Sequence, residues 1–269
     1  MHFLGKYDRI LRMRNPFARK GACPLTDFEK RLLVEYFGND QEKMRQAEQR
    51  LAAHEPIAYI VGETVFYDET YKVNPAVLIP RPDTERVVEK VLKYLPRGGR
   101  LLDLCCGSGC IAISSLCHSA ETTAVLLDIS REALDIAKEN ANLNRVLERC
   151  SFICADLFKR PELDGQFDVI VSNPPYVATE VIETLEEECH KEPYIAFDGG
   201  RDGGDFYRLL LAYSPRYLKE NGKLIFEIGY DQREMMEILA EQHGFGLEIY
   251  KDYGGNDRVA VFTPSKESV

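Results

Sequence analysis

Short apolar runs alternate with longer segments of helical periodicity between residues 100 and 262, and this alternation predicts an α/β fold. Five runs have the composition of buried parallel strands, at residues 100–105, 123–128, 151–156, 167–171 and 223–228. Helical segments accompany them at residues 110–116, 131–143, 205–219 and 234–243. Two closing strands, 246–250 and 258–262, are so close in sequence that we expect them to pair antiparallel.

The chain before residue 83 has a different texture. Apolar side chains recur at helical spacing at Phe28, Leu32, Leu33, Tyr36 and Phe37, and residues 42–53 form a second helix-compatible run. Two short strand-like runs around a turn follow, before residue 74. We therefore predict an N-terminal helical domain over 1–55, a β-hairpin linker over 56–82 and a main domain over 83–269. The first unit, which carries a basic cluster (Arg9, Arg12, Arg14, Arg19 and Lys20), is either a lid on the main domain or a docking surface for a partner.

Composition narrows the class of protein. Of 269 residues, 45% are hydrophobic and 29% charged, which is typical of a soluble globular chain. No apolar run approaches the ~20 residues of a membrane span. The first ten residues have no apolar core followed by a small-residue cleavage site, so we do not expect export. The net charge of −10 argues against tight binding to duplex nucleic acid. We expect a cytoplasmic monomer with no membrane association and no stable nucleic-acid partner.

Eight cysteines are present, and Cys105 and Cys106 are adjacent. There is no pair of Cys-x-x-Cys units and no Cys–His grid, so we interpret them as reduced, mostly buried thiols and expect no metal site. Zinc is the alternative interpretation.

The tetrapeptide Asn173-Pro174-Pro175-Tyr176 follows the apolar run at 167–171. Prolines cannot donate to a sheet, so they end the strand in a rigid turn, where α/β sheets place their sites. The proline carbonyls stay free to accept hydrogen bonds, the Asn173 amide can donate and accept, and Tyr176 adds an aromatic face. These groups suit a flat, neutral substrate bearing an NH2 group. A plain Pro-Pro turn is the structural alternative.

Two other strand ends carry candidate cofactor groups. Glycines in the turn after residue 105 allow close approach of a ligand to the backbone and to a helix N-terminus. Asp128 ends the next strand about 20 residues later, where a carboxylate can take the hydroxyls of a ribose. Asp156 ends the third strand beside Leu157, so that an acid and an apolar side chain can contact an adenine. A helix cap or turn residue is the alternative for Asp156.

Three further features have local interpretations. Arg81, held between two prolines, can meet a carboxylate or lie at the surface. Asp83 or Thr84 can cap the helix that starts beside Glu85. The acidic run at 180–192 predicts a solvated face.

Taken together, these motifs resemble the class I S-adenosylmethionine-dependent methyltransferases. Asn-Pro-Pro-Tyr resembles the signature of enzymes that methylate a planar amino or amide nitrogen. From about residue 55 onward the chain resembles the release factor glutamine methyltransferase family, with matching segments at 55–62, 77–85, 128–134, 172–176, 192–193, 198–203, 226–230 and 251–259. The Ile-Pro-Arg-Pro and Glu-Pro segments distinguish this family from nucleic-acid methyltransferases that share Asn-Pro-Pro-Tyr.

The resemblance implies a seven-stranded, mostly parallel Rossmann-like sheet behind a small helical domain. It implies S-adenosylmethionine as cofactor, S-adenosylhomocysteine as product, and methylation of the Gly-Gly-Gln glutamine of a peptide chain release factor. The implied cofactor residues are Cys105, Cys106, Gly107, Ser108 and Gly109 for the methionine part, Asp128 for the ribose, Asp156 and Leu157 for the adenine, and Asn173 beside them. The implied substrate residues are Asn173, Pro174, Pro175 and Tyr176.

The chain departs from the family pattern in two places. Its loop reads Cys-Cys-Gly-Ser-Gly where the family has Gly-Thr-Gly-Ser-Gly, so Cys105 needs a negative φ or a strained one. The helical region before residue 55 is shorter than usual. Two rival functions remain open, namely methylation of adenine in DNA or RNA, and cofactor binding without turnover.

Overall fold

The computed structural model describes residues 26–265, so the basic cluster and Cys23 lie outside the described residues. Helices are α1 (Asp27–Phe37), α2 (Gln41–Ala52), α3 (Ile57–Val61), α4 (Glu85–Tyr94), α5 (Cys110–His118), α6 (Arg131–Leu143), α7 (Thr179–Ile182), α8 (Asp205–Tyr213) and α9 (Arg233–His243). Strands are β1 (Glu63–Phe66), β2 (Glu69–Lys72), β3 (Arg100–Leu104), β4 (Thr123–Asp128), β5 (Cys150–Cys154), β6 (Phe167–Ser172), β7 (Leu218–Glu227), β8 (Phe245–Lys251) and β9 (Asp257–Pro264). In this part of the chain no helix is both long and apolar enough to cross a membrane.

Strands β3 to β9 form one seven-stranded sheet in the order β5-β4-β3-β6-β7-β9-β8. The pairs among β3, β4, β5, β6 and β7 are parallel, whereas β9 pairs antiparallel with both β7 and β8. The predicted α/β class, the mostly parallel sheet and the antiparallel closing pair are therefore confirmed. Strands β4 and β5 lie on one side of β3, whereas β6 and the later strands lie on its other side. In such sheets the ligand crevice opens at this change of side, between β3 and β6.

Helices cover both faces of the sheet because successive side chains of each strand point to opposite sides. Leu101 and Leu126 pack on one face with α4, α5 and α6. Leu102 and Leu127 pack on the other face with α8 and α9. Strands buried on both faces must be apolar at nearly every position, which is why periodicity alone located them.

The N-terminal helices and the hairpin add two smaller layers. Leu33 of α1 and Leu51 of α2 pack against Ile60 of α3. Strands β1 and β2 then pair antiparallel, as the sequence predicts. The boundaries 1–55, 56–82 and 83–269 stay predictions.

The boundary between α8 and β7 differs from the prediction. The helix expected to reach residue 219 ends at Tyr213, and a 3-10 turn, Ser214–Tyr217, follows it. Pro215 explains the early end, because proline removes a helix hydrogen bond and clashes with the preceding turn. Strand β7 then begins at Leu218 rather than at residue 223, and its register against β6 jumps from Leu218 to Lys223. Asn221 and Gly222 lie within that jump.

One buried amide fastens the hairpin to the main sheet. Asn140 of α6 is fully buried, accepts from Lys72 N at 2.6 Å, and donates to Lys72 O at 3.1 Å and Ser108 O at 3.0 Å. Lys72 ends β2, and Ser108 belongs to the turn after β3. The same side chain therefore holds the hairpin and the glycine turn together.

We predict that Asn140→Ala lowers the free energy of unfolding by about 2 to 4 kcal/mol, because it leaves three backbone groups without their partner. Urea unfolding measures this change. Asn142→Ala, at an exposed position of the same helix, is the matched control and should change stability by less than about 0.5 kcal/mol. Equal losses in the two variants would contradict the proposed fastening.

Candidate active site

The carboxyl ends of β3, β4 and β6 and the turn after β5 enclose a cavity of about 320 Å³. Strands β3 and β6 are adjacent, and the Ser172 hydroxyl donates to Leu104 O at 2.6 Å. Predicted site residues that line the cavity are Cys105, Cys106, Gly107, Ser108, Asp128, Asp156, Leu157, Asn173 and Pro175. Three predicted residues, Gly109, Pro174 and Tyr176, lie beside it without lining it.

The turn after β3 has a left-handed backbone at three positions. Cys105, Gly107 and Gly109 have φ values of 57°, 53° and 78°. A Cβ on Gly109 would lie 2.9 Å from Ile113 Cδ1 and 3.0 Å from Leu126 Cδ2, so only glycine lets α5 pack this closely on the sheet. Cys105 takes the strained alternative that the sequence left open, since a side chain is disfavoured at positive φ.

Asp128 joins this turn to the end of β4. Its carboxylate accepts from Gly107 N at 2.8 Å and from Ser130 N at 2.9 Å. Burial raises the pKa of Asp128, while these backbone N–H groups oppose the increase. Each oxygen keeps a lone pair that can accept a further hydroxyl proton.

Asp103 is a buried acid that the sequence analysis missed. It lies within β3 and is 1% exposed, and its Oδ2 accepts from Ala112 N at 3.1 Å. Its Oδ1 has no hydrogen-bond partner among residues 26–265. Burial raises the pKa of Asp103 to about 8, with a smaller contribution from Asp128. The sequence did contain a signal for this burial, because Asp103 lies between two leucines in a run predicted to be a buried strand.

Asp156 combines the two interpretations left open by the sequence. It lines the cavity beside Leu157 and Phe158. Its Oδ1 also accepts from Phe158 N at 2.9 Å and so caps the 3-10 turn Leu157–Lys159. The cap holds the apolar side chains at the cavity wall.

Asn173 and Tyr176 are both connected to one buried acid. The Asn173 amide donates to Thr84 Oγ1 at 3.5 Å, and the Tyr176 hydroxyl donates to Glu227 Oε1 at 3.2 Å. The Thr84 hydroxyl donates to Glu227 Oε2 at 2.6 Å. Thr84 does occupy the N-cap position of α4, but its side chain makes no capping bond. The prediction of a Thr84 side-chain cap is therefore wrong, because Glu227, 143 residues later, takes its proton.

A glycine-rich loop packs on the backbone of Tyr176. A Cβ on Gly199 would lie 2.7 Å from Tyr176 Cα, and one on Gly203 would lie 2.3 Å from Tyr176 O. Gln232 donates to the same Tyr176 carbonyl at 2.9 Å. The loop therefore supports the tetrapeptide from outside the cavity.

An ion pair positions one side of the cavity mouth. Arg81 donates to Glu192 at 2.5 Å, and Glu192 also accepts from Ile79 N at 2.9 Å. Arg81 thus meets a carboxylate, the first of its two interpretations. Glu192 is 5% and Glu188 8% exposed, so the prediction of a solvated face is wrong for these two acids. Pro193 to Ala196, which follow Glu192, line the cavity.

Comparisons with known proteins agree with this architecture. The family model described as methyltransferase small domain matches residues 84–189. The chain is 37% identical over 266 residues to the release factor glutamine methyltransferase of Agrobacterium fabrum, covering 96% of this chain and 91% of that one. It is 38% identical over 208 residues to the enzyme of that name from Aquifex aeolicus, covering 77% and 74%.

The chain belongs to the release factor glutamine methyltransferase family. Sequence similarity to the Agrobacterium fabrum member extends over nearly the whole chain. For the fold alone, a crystal structure of a methyltransferase from Pyrococcus furiosus has a TM-score of 0.55 and 17% identity, and covers 85% of this chain and all of its own.

In this release factor glutamine methyltransferase family member, the strain at Cys105 can be measured by substitution. We predict that Cys105→Gly is more stable than Cys105→Ala by about 1 kcal/mol, because only alanine keeps a Cβ at positive φ. Urea unfolding measures both variants. The matched pair is Cys106→Gly and Cys106→Ala, since the φ of Cys106 is not positive. There the order should reverse, by about 0.5 to 1 kcal/mol. An alanine variant as stable as or more stable than the glycine variant at Cys105 would exclude strain there.

Asp103 should make stability depend on pH. Its pKa is about 8 in the folded protein against an ordinary value of 3.8, so the folded state holds a proton that the unfolded state releases. Stability due to this group is therefore complete below about pH 4, falls by up to about 1.4 kcal/mol per pH unit, and levels off above about pH 8.

We predict that Asp103→Asn removes this slope. The difference in free energy of unfolding between variant and wild type should change steadily from about pH 4 to about pH 8, in favour of the variant as pH rises. Urea unfolding over that range tests it. Parallel curves would show that Asp103 is ionised in the folded protein.

Proposed function

We propose that this protein transfers a methyl group from S-adenosylmethionine to the side-chain amide nitrogen of the glutamine in the Gly-Gly-Gln motif of a peptide chain release factor. The observation that carries the proposal is that Asn173 and Pro175, at the end of β6, line the same cavity as the turn after the neighbouring strand β3. An acceptor clamp for an NH2 group and a candidate cofactor loop thus meet at one cavity. Family membership supports the same acceptor.

The residues at the cavity fit S-adenosylmethionine. A Cβ on Gly107 would meet no atom within 4 Å, so the turn leaves open space beside its backbone. Asp128 offers carboxylate lone pairs to ribose hydroxyls, and Asp156 with Leu157 offers an acid and an apolar surface to adenine. A volume of about 320 Å³ is within the range of small-molecule sites.

When bound, the sulfonium cofactor supplies an electrophilic methyl group. The protein's task is to orient an amide nitrogen, which is a poor nucleophile because its lone pair is delocalised. Asn173 Oδ1 and the Pro174 carbonyl accept its two hydrogens and direct the lone pair toward the methyl group. Within residues 26–265 no group donates to the Pro174 carbonyl, so it is available for this bond.

Alignment of this kind can contribute up to ~7–11 kcal/mol, so no strong base is needed. The nitrogen gains the methyl group, and one proton passes from it to water. Tyr176 is a positioning residue in this scheme, since burial raises its pKa well above the ordinary value and keeps the phenol neutral.

A protein acceptor also fits the cavity mouth. Tyr194 and Ile195 line the cavity yet are 53% and 56% exposed. Such side chains can contact a polypeptide that inserts one glutamine into the site. The adjacent Arg81–Glu192 ion pair holds this segment in place.

The test is mass spectrometry of a release factor incubated with this protein and labelled S-adenosylmethionine. We predict one methyl group on the glutamine of the Gly-Gly-Gln segment. Asn173→Ala should lower turnover at saturating cofactor by about 100-fold, because the acceptor nitrogen loses its alignment. Asn142→Ala, exposed on α6, is the control and should keep full turnover.

Two outcomes would overturn this proposal. An unlabelled release factor, with cofactor still bound, would require another acceptor, and adenine in DNA or RNA would be tested next. Wild-type turnover in Asn173→Ala would leave the release factor as substrate but remove Asn173 from the mechanism.

A further inference from the structure

Glu227 is an acid at the end of β7 that the proposed chemistry does not use. It is 2% exposed, and each of its two oxygens accepts from a different hydroxyl. Oε2 accepts from Thr84 at 2.6 Å and Oε1 from Tyr176 at 3.2 Å. Thr84 is itself 1% exposed, so water does not compete for these bonds.

The polarity of this network can be followed atom by atom. Burial raises the pKa of Glu227, but the hydrogen bonds from Thr84 and Tyr176 oppose the increase. An ionised carboxylate only accepts hydrogen bonds, so the single hydroxyl proton of Thr84 is directed to Glu227. The Thr84 oxygen then has only lone pairs to present to its other neighbour, the Asn173 amide at 3.5 Å. An amide facing lone pairs must present its NH2 group. Asn173 Oδ1 therefore points away from Thr84.

We propose that Thr84 and Glu227 are positioning residues that fix which end of the Asn173 amide faces the acceptor nitrogen. This inference rests on the proposed function, in which Asn173 Oδ1 accepts a hydrogen of the substrate amide. With the amide reversed, its NH2 group would face the substrate NH2, and two donors would repel each other. The buried acid thus sets a hydrogen-bond direction at the site without touching the substrate.

Glu227 also fixes the hydrogen-bond direction of Tyr176. Because the Tyr176 hydroxyl donates to Glu227, its proton is not available to the substrate. The charges nearest to Glu227 include Arg258 and Asp83, and Arg258 is bound to Asp252 at 3.2 Å. Asn173, through Thr84, and Tyr176 therefore both take their hydrogen-bond direction from Glu227 on the neighbouring strand.

The test compares variants of Thr84 in the release factor assay. Thr84→Val keeps the shape but loses the hydroxyl, so Asn173 can take either orientation, and kcat should fall about 10-fold. Thr84 also lines the cavity, so kcat is measured at saturating S-adenosylmethionine. Thr84→Ser restores the hydroxyl and should recover kcat to within about threefold of wild type. Thr84→Ala, which only removes atoms, carries the same prediction as valine should valine disturb the fold.

Thr122→Val is the matched control. Thr122 is also fully buried, and its hydroxyl bonds Ser119 at 2.7 Å, but it precedes β4 at the opposite end of the strand from the cavity. Its replacement should alter stability and leave kcat unchanged. A loss of kcat that merely follows stability would appear in both variants.

A double substitution separates positioning from a structural role. If Thr84 acts only through Asn173, Thr84→Val should add less than about a twofold loss of kcat to the Asn173→Ala protein. Losses that multiply would overturn the inference, as would wild-type kcat in Thr84→Val or a serine variant as slow as valine. In each of these cases wild type still methylates the release factor, whereas failure of the proposed function itself would appear as an unlabelled release factor with wild type.

Discussion

The parallel pairing of β3 with β6 is the interaction on which the candidate site depends. Leu104 lies opposite Ser172, and the Ser172 hydroxyl bonds the Leu104 carbonyl. Cys105 and Asn173 are the residues that directly follow the two strands. This register therefore places the glycine turn beside the Asn-Pro-Pro-Tyr tetrapeptide. A slip by one residue would exchange the two faces of β6 and separate the Ser172 hydroxyl from the Leu104 carbonyl, so packing and this hydrogen bond together hold the register.

Buried polar contacts then attach distant segments to this edge. The short segment from Ile79 to Thr84 meets Glu192 through Arg81 and meets Glu227 through Thr84. Asn140 similarly holds the hairpin to the turn after β3. Each contact removes a polar group from water, so it must be formed fully or it destabilises the fold. The segments around the cavity are thus held by a few directional contacts rather than by the sheet ladder.

The strands, and the order in which candidate site residues follow them, were predictable from the sequence, whereas several side-chain contacts were not. Hydrophobic periodicity located β3, β4 and β6. It did not locate the end of α8, because the helical pattern continues past Pro215, where the helix has already ended. Asp83 or Thr84 was predicted to cap a helix, but the Thr84 hydroxyl instead donates to Glu227. The acidic run was predicted to be solvated, but Glu192 is buried against Arg81. For Thr84 and for Glu192, a partner more than 100 residues away prevailed over a local preference.

The amino-acid sequence by itself determined the α/β class, the positions of the buried strands and the identity of the groups that follow three of them. These properties depend on side-chain period, on proline and glycine, and on residues that are neighbours in the chain. Only the tertiary structure decided the positive φ of Cys105, the burial of Asp103 and the link from Glu227 to Asn173 through Thr84. Their physical reason is that desolvation and hydrogen-bond direction depend on what surrounds a group in space, which no local pattern specifies.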